Sequence, residues 1–145
     1  MYGKLRRILP VGLIEYLIGI FWTVDQRFPE RRRKIFERAA RVLRRTGESV
    51  YLSPEGQRVV TGEIGHFNKG SFHMATDLQV PIQPFYIFIP KEVDPGIGLV
   101  SAAGRVDVYF MPRISTEGWR VEGVEENREH IRDLFVQFHE TMKQM

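Results

Sequence analysis

Residues 50–89 read VYLSPEGQRVVTGEIGHFNKGSFHMATDLQVPIQPFYIFI. A β-favouring run, a tight turn, a glycine-rich loop, a short apolar helix and a second β-favouring run follow one another, and that order predicts an α/β chain. Val50-Tyr51-Leu52 is a short strand candidate that stops at Ser53-Pro54-Glu55-Gly56, where Pro and Gly two apart set a turn. Glycines at 56, 62, 65 and 70 mark the loop. Phe72, Ala75 and Leu78 recur at helical spacing, which predicts a helix over residues 71–78. Val80 to Ile89 is rich in β-branched and aromatic residues and reads as a buried strand. Its two prolines put it near an edge or leave its start irregular.

Upstream, FPERRRKIFERAARVLRRTG (28–47) places Ile35, Phe36, Ala39, Ala40, Val42 and Leu43 on one stripe and eight Arg and Lys side chains around it. That is an amphipathic basic helix over residues 29–45, with Gly47 as its C-cap. Downstream, residues 90–98 are a Pro/Gly loop, and Arg105–Met111 alternates Val106, Val108 and Phe110 with Asp107, Tyr109 and Met111. A last helix begins near Val124, with Ile131, Leu134, Phe135, Phe138 and Met142 as its apolar stripe. There is no repeat, low-complexity tract or linker, so one domain over residues 1–145 is expected.

Composition narrows the function classes. At 145 residues, 43% apolar and 27% charged, the chain can bury a core and is neither disordered nor a disulfide scaffold. The absence of cysteine removes a thiolate nucleophile and a Cys-based zinc or iron–sulfur site. The four histidines form no His-x-x-x-His pair, so no metal is expected. Net charge is only +3, but residues 1–58 hold 13 Lys/Arg against 6 Asp/Glu, and residues 59–145 hold 8 against 12. A basic front half calls for an anionic partner: a phospholipid surface, a phosphorylated substrate or nucleic acid. Nucleic acid fits least, because the tryptophans do not interleave with the arginines and no recognition motif is present.

Leu9 to Trp22, LPVGLIEYLIGIFW, carries Glu15 as its only charge. It is shorter than the roughly 20 apolar residues a membrane-crossing helix needs. With a Pro, two Gly, a Glu and no small-x-small site after it, it is not a signal peptide either. Two readings stay open: a buried core segment, or a segment lying in the bilayer interface.

Chemistry concentrates in Leu52–Gly70. A strand running into Pro-Glu-Gly with an Arg two residues beyond can aim a carboxylate and a guanidinium at one space, where open α/β sheets build sites. A guanidinium grips phosphate through two parallel hydrogen bonds. Glu55 is then placed to orient Arg58 or to accept from a substrate hydroxyl. The plainer alternative is a surface turn with an exposed ion pair.

Ser53-Pro54-Glu55-Gly56-Gln57-Arg58, then His66-Phe67-Asn68-Lys69-Gly70-Ser71-Phe72, then Val80-Pro81-Ile82 resembles the glycerolipid acyltransferase family. That family carries Phe-Pro-Glu-Gly-Thr-Arg, then Phe-Lys-x-Gly, then Val-Pro-Ile at similar spacing. Lys4-Leu5 with Pro10 and Gly12, Gly19-Ile20-Phe21 before Asp25-Gln26-Arg27, and Ile114–Gly118 also fit, in order, over nearly the whole chain. The resemblance implies a mixed sheet flanked by helices, a glycerol-phosphate acyltransferase-like fold. It also implies transfer of an acyl group from acyl-CoA or acyl carrier protein, as co-substrate and with no cofactor, to a lysophospholipid such as 1-acylglycerol-3-phosphate. Carried over by match, Arg27, Glu55, Gly56 and Arg58 bind the glycerol-phosphate part, and Val80, Pro81 and Ile82 touch the acyl chain or the acceptor. The expected setting is peripheral, at the cytoplasmic face of a membrane, or cytoplasmic.

One departure governs the expected activity. The family's base lies in His-x-x-x-x-Asp, yet five residues after His66, His73, His130 and His139 stand Ser71, Leu78, Phe135 and Gln144. No catalytic residue is therefore assigned, and the expectation is an N-terminally incomplete acyltransferase-like domain that binds its acceptor with weak or no turnover. Ser53, Gln57 and Val59 are smaller departures, and an extra residue before Arg27 shifts its match by one position. His66, beside the Glu55 loop, is the best-placed histidine to substitute, but a lone loop histidine reads first as an exposed or hydrogen-bonded bystander; His73 reads as core or rim, and His130 and His139 read as solvated. The alternative is a non-catalytic peripheral membrane module that binds anionic lipid through the basic helix at residues 30–45.

Overall fold

The computed structural model describes residues 27–56, 62–90, 92–94, 96 and 100–144. Its contacts separate into two compact units, Met1–Glu48 and Ser49–Met145.

In the first unit the described element is helix α1 (Pro29–Thr46). Proline at its first turn leaves no orphan N–H there, Glu30 meets the positive end of the helix, and Arg44 and Arg45 meet the negative end. Gly47 ends it as expected, at φ 70°, its N–H donating 2.8 Å to the Leu43 carbonyl. Arg33 bonds Glu30 at 3.0 Å and Glu37 at 3.2 Å, one turn either way, while Arg31 lies over the Phe28 ring. These exposed pairs stabilise little. Ile35, Phe36, Ala39 and Leu43 are half-buried and Ala40 is buried, but Val42 is exposed despite its place in the predicted stripe.

The second unit runs from a loop and turn (residues 49–56), through residues 62–69, into α2 (Gly70–Leu78), strand β1 (Phe85–Phe88), strand β2 (Asp107–Phe110), a short 3-10 turn (Val121–Gly123) and helix α3 (Val124–Lys143). The core joins α2 and α3 through Phe67, Phe72, Val124 and Ile131, with Ile64, Ile82, Ile114, Trp119 and Phe135 packed around them. Phe67 meets Phe135 edge-on at 5.5 Å. The stripe expected on α3 is the one that turns inward: Ile131 and Met142 are buried and Leu134, Phe135 and Phe138 half-buried.

α2 stops at Gln79, which holds the left-handed φ of 52° without being glycine. Its side chain makes the position tenable: Nε2 donates to the Thr76 and Trp119 carbonyls at 2.7 and 3.0 Å, and Oε1 accepts from the Gly118 N–H at 3.0 Å. That ties the α2 end to the 116–119 turn.

Two expectations need correction. Val50–Leu52 forms no strand among the described residues; Tyr51 is exposed and stacks on Phe85 at 5.4 Å. Residues 80–89 are not one buried strand. Ile82 makes an isolated bridge to Ile114, ladder pairing covers only Phe85–Phe88, and Ile87 and Ile89 are exposed. The cause is the proline pair flanking Ile82 and Gln83, which brings no N–H to the ladder. The described strands pair antiparallel, Phe85 opposite Phe110 and Ile87 opposite Val108.

The alternation of β2 is as read, yet its apolar side faces out: Val108 and Phe110 are 48% and 73% exposed. α3 covers the other face instead, where the Phe138 ring meets Tyr86 at 5.3 Å and Tyr109 at 5.6 Å. Tyrosine is apolar enough to pack and polar enough to bond at its tip, so a face that looks half-polar in sequence became the inner one.

Candidate functional site

The turn at Pro54-Glu55-Gly56 is closed by the Gly56 N–H donating to the Ser53 carbonyl at 3.1 Å. Gly56 has φ +67°, and a Cβ built on it would lie 2.8 Å from Asn68 Nδ2. Both its conformation and the close approach of Asn68 demand glycine.

Asn68 clamps the turn. Its backbone N–H donates to the Pro54 carbonyl at 2.7 Å, and Nδ2 donates to the Pro54 and Glu55 carbonyls at 3.1 and 2.8 Å. Phe67, 2% exposed, anchors this asparagine from the core. The Glu55 carboxylate points back at the loop, where Oε1 accepts from the Gly65 N–H at 2.6 Å. Turn and loop therefore hold each other: carbonyls of the turn take donors from Asn68, and a carboxylate of the turn takes a donor from Gly65.

α3 backs the loop with two arginines one turn apart. Arg132 Nε and Nη2 donate to the Gly65 and Ile64 carbonyls at 2.8 and 3.2 Å. Arg128, 5% exposed, bonds Glu125 at 2.5 Å and also pairs with Glu129, and its Nη1 reaches His66 Nε2 at 3.3 Å. A guanidinium only donates, so His66 Nε2 is the acceptor and its lone pair is in use. Lys69 pairs with Glu125, and this hydrogen bond first, then the charge of Arg128, holds the Glu125 carboxyl below its usual range.

The other histidines differ from expectation in part. His139 is half-buried, not solvated: Nε2 donates to the Gly62 carbonyl at 2.9 Å, which leaves Nδ1 to accept from the Tyr86 hydroxyl at 2.7 Å. His73 and His130 are exposed. Glu63, His139 and Glu140 bring ligand-type atoms within 4.8 Å of one another. Lys143 Nζ already bonds both carboxylates, at 2.9 and 3.0 Å, and both imidazole nitrogens are engaged, so this cluster ties the loop to α3.

Of the predicted site residues, Glu55 and Gly56 are brought together with the 64–68 loop. Arg58 lies outside the described residues, and Arg27 is exposed, in the first unit. Val80 and Pro81 are exposed and Ile82 is half-buried. Their bonds run to the 114–116 segment: Thr116 Oγ1 donates to the Val80 carbonyl at 2.8 Å, and Ile82 exchanges two 2.9 Å bonds with Ile114. An apolar cavity of about 420 Å³ opens nearby, between the base of the hairpin and α3. Pro84, Met111, Ile114, Leu134 and Phe138 line it, with Arg113 alongside, and Val80, Pro81 and Ile82 do not.

Sequence reading missed Asn68, Gly65, Arg128 and Arg132. Asn68 carried a signal, standing where the Phe-Lys-x-Gly block has lysine. The arginines on α3 carried none.

Residues 3–88, which include the turn, the clamp and Val80–Ile82, match the sequence profile of the Acyltransferase family. The chain belongs to the Acyltransferase family. Human 1-acyl-sn-glycerol-3-phosphate acyltransferase beta is 39% identical over 75 residues, 52% of this chain and 27% of that protein. The mouse alpha enzyme is 30% identical over 112 residues, 74% of this chain and 38% of the relative. The crystal structure of the 1-acyl-sn-glycerophosphate (LPA) acyltransferase PlsC from Thermotoga maritima superposes with a TM-score of 0.74 at 24% identity, over 98% of this chain and 55% of that one. The acyltransferase fold expected from the resemblance is thereby shown, and this acyltransferase-family chain spans less than half the length of these two curated relatives.

Proposed function

We propose that this chain binds a lysophospholipid acceptor of the 1-acylglycerol-3-phosphate type, in the service of acyl transfer to its free hydroxyl. The observation that supports this reading most is the doubly clamped Pro54–Gly56 turn, lying inside the family match, with the Glu55 carboxylate fixed by Gly65. Arg58 and Arg27 would grip the phosphate as bidentate donors, and Val80, Pro81 and Ile82 would contact the acyl chain or acceptor. Acyl-CoA or acyl carrier protein would be the donor.

The 145 residues hold no His-x-x-x-x-Asp, so the proposal for this chain is binding with weak or no turnover; a general base is worth about 10²- to 10⁴-fold. The test is calorimetric titration of the 145-residue chain with lysophosphatidic acid, alongside an acyl-transfer assay with a long-chain acyl-CoA. Binding lost in Arg58→Ala, without turnover, is expected. Turnover that needs Arg58 would mean a base within the chain, and absence of any binding by the folded chain would end the reading.

A second reading follows from α1. Arg31, Arg33, Lys34, Arg38, Arg41, Arg44 and Arg45 are all exposed, a cationic face suited to the anionic headgroups of a membrane's cytoplasmic leaflet. Among the described residues no helix is long and apolar enough to cross a membrane. Co-sedimentation with phosphatidylserine vesicles, abolished by Arg38→Glu with Arg41→Glu and by salt, would favour this role. Equal binding to neutral vesicles would not.

A further inference from the structure

We propose that Arg132, on α3 and outside the residues matched by the family, is a positioning residue for Glu55, acting through the single peptide group between Ile64 and Gly65. The significance for the acceptor rests on the preceding reading of the Pro54–Gly56 turn; the coupling itself does not.

The two ends of that peptide are taken by opposite charges. Its carbonyl, Ile64 O, accepts from Arg132 Nη2 at 3.2 Å. Its N–H, on Gly65, donates to Glu55 Oε1 at 2.6 Å. A cation at the oxygen and an anion at the hydrogen polarise an amide in the same sense, so each bond strengthens the other. The next carbonyl, Gly65 O, accepts from Arg132 Nε at 2.8 Å, so the guanidinium spans two consecutive carbonyls with its planar fork. A lysine ammonium has no such fork.

Charge balance favours the same assignment. Arg128, one turn earlier, is neutralised by Glu125 and Glu129 beside it. Arg132 has no carboxylate bonded to it among the described residues, and both its hydrogen bonds there go to carbonyls. Along the bonded path its counter-charge is Glu55, one peptide away. The path is also packed at both ends: Phe67, in the loop, and Ile131, next to Arg132, are each 2% exposed. Arg132 thus sets where Glu55 is held, and the 54–56 turn with it, although 67 residues separate it from Gly65.

The test uses the isotopically labelled 145-residue chain and 1-oleoylglycerol-3-phosphate below its micelle concentration. The Gly65 amide proton reports the carboxylate bond, calorimetry reports affinity, and thermal melting reports stability. Arg132→Gln is expected to move the Gly65 resonance in the same direction as Glu55→Gln and to weaken binding roughly ten-fold, the size of one charge-assisted hydrogen bond. The double variant should bind no more weakly than Glu55→Gln alone, and Arg132→Lys should recover part of the loss. An arginine that only closes the loop would lower the melting temperature of Arg132→Gln while Gly65 and the affinity stayed as in the parent, and that overturns the proposal. Should Arg132→Gln fail to fold, Arg132→Lys decides by the same resonance. A parent chain that binds no lysophosphatidate ends the acceptor reading, and Gly65 still decides whether Arg132 governs Glu55.

Discussion

The irregular segments at 53–56 and 62–69 and the hairpin of β1 and β2 solve opposite problems. The hairpin pairs its own backbone in a regular ladder, yet leaves Ile87, Val108 and Phe110 exposed on one face. Those two segments have no ladder, and side chains satisfy their backbone instead: Asn68 for the turn carbonyls, Glu55 for Gly65, Arg132 for Ile64 and Gly65, His139 for Gly62. Regular structure guarantees main-chain hydrogen bonds but says nothing about which face is covered. Irregular structure needs a bespoke partner for each polar group, and here distant side chains supply them.

The contrast predicts that the irregular region is the more sensitive to substitution. Phe67→Ala, in the loop, should cost about 3–5 kcal/mol in urea unfolding, because it empties the junction of α2 and α3. Gly56→Ala should cost about 2 kcal/mol, from the left-handed φ and the approach to Asn68, and the loss should shrink in an Asn68→Ala background. Asn68→Ala alone should cost about 1–2 kcal/mol, since it deletes both Nδ2 bonds and strips donors from two carbonyls.

Acid should loosen the loop next. Lys69 lowers the Glu125 carboxyl and Lys143 lowers that of Glu63, each first through its hydrogen bond. A carboxyl lowered on folding contributes stability above its unfolded value, near 4.5 for both, and loses it as pH falls through the folded value. Amide protection factors at residues 62–69 should therefore fall below about pH 4.5, and less so in Lys143→Met, where one of the two linkages is already gone. Phe110→Ser, in the hairpin, should change stability by no more than about 0.5 kcal/mol, because the ring is 73% exposed. A large loss there would mean that the outer face is covered in solution.

Much of this was readable along the chain. The periodicity of α1 and α3, the Gly47 cap, the helix near residues 71–78 and the Pro54–Gly56 turn all follow from preferences that act within a few residues. Motif order carried the family as well, since the blocks at 53–58, 66–72 and 80–82 lie in the matched region. The strand expected at 50–52 failed because β-propensity reports fit to a neighbouring strand, which Tyr51 does not have among the described residues. The alternation of β2 held, but alternation distinguishes two faces without ranking them, so which face turns inward was not legible.

The amino-acid sequence by itself determined the helices, the Gly47 cap, the turn and the family, all through interactions whose range is one or two helical turns or one motif. Only the tertiary structure decided that Glu55 faces Gly65, that Asn68 closes on the turn, and that Arg132 reaches Ile64 and Gly65. Those bonds join residues 10 to 68 apart in the chain. They exist because Ile131 and Phe135 pack into the Phe67–Phe72 core and so turn the intervening arginine toward the loop. A hydrogen bond needs its partners within about 3 Å, and at such separations only packing can bring them there.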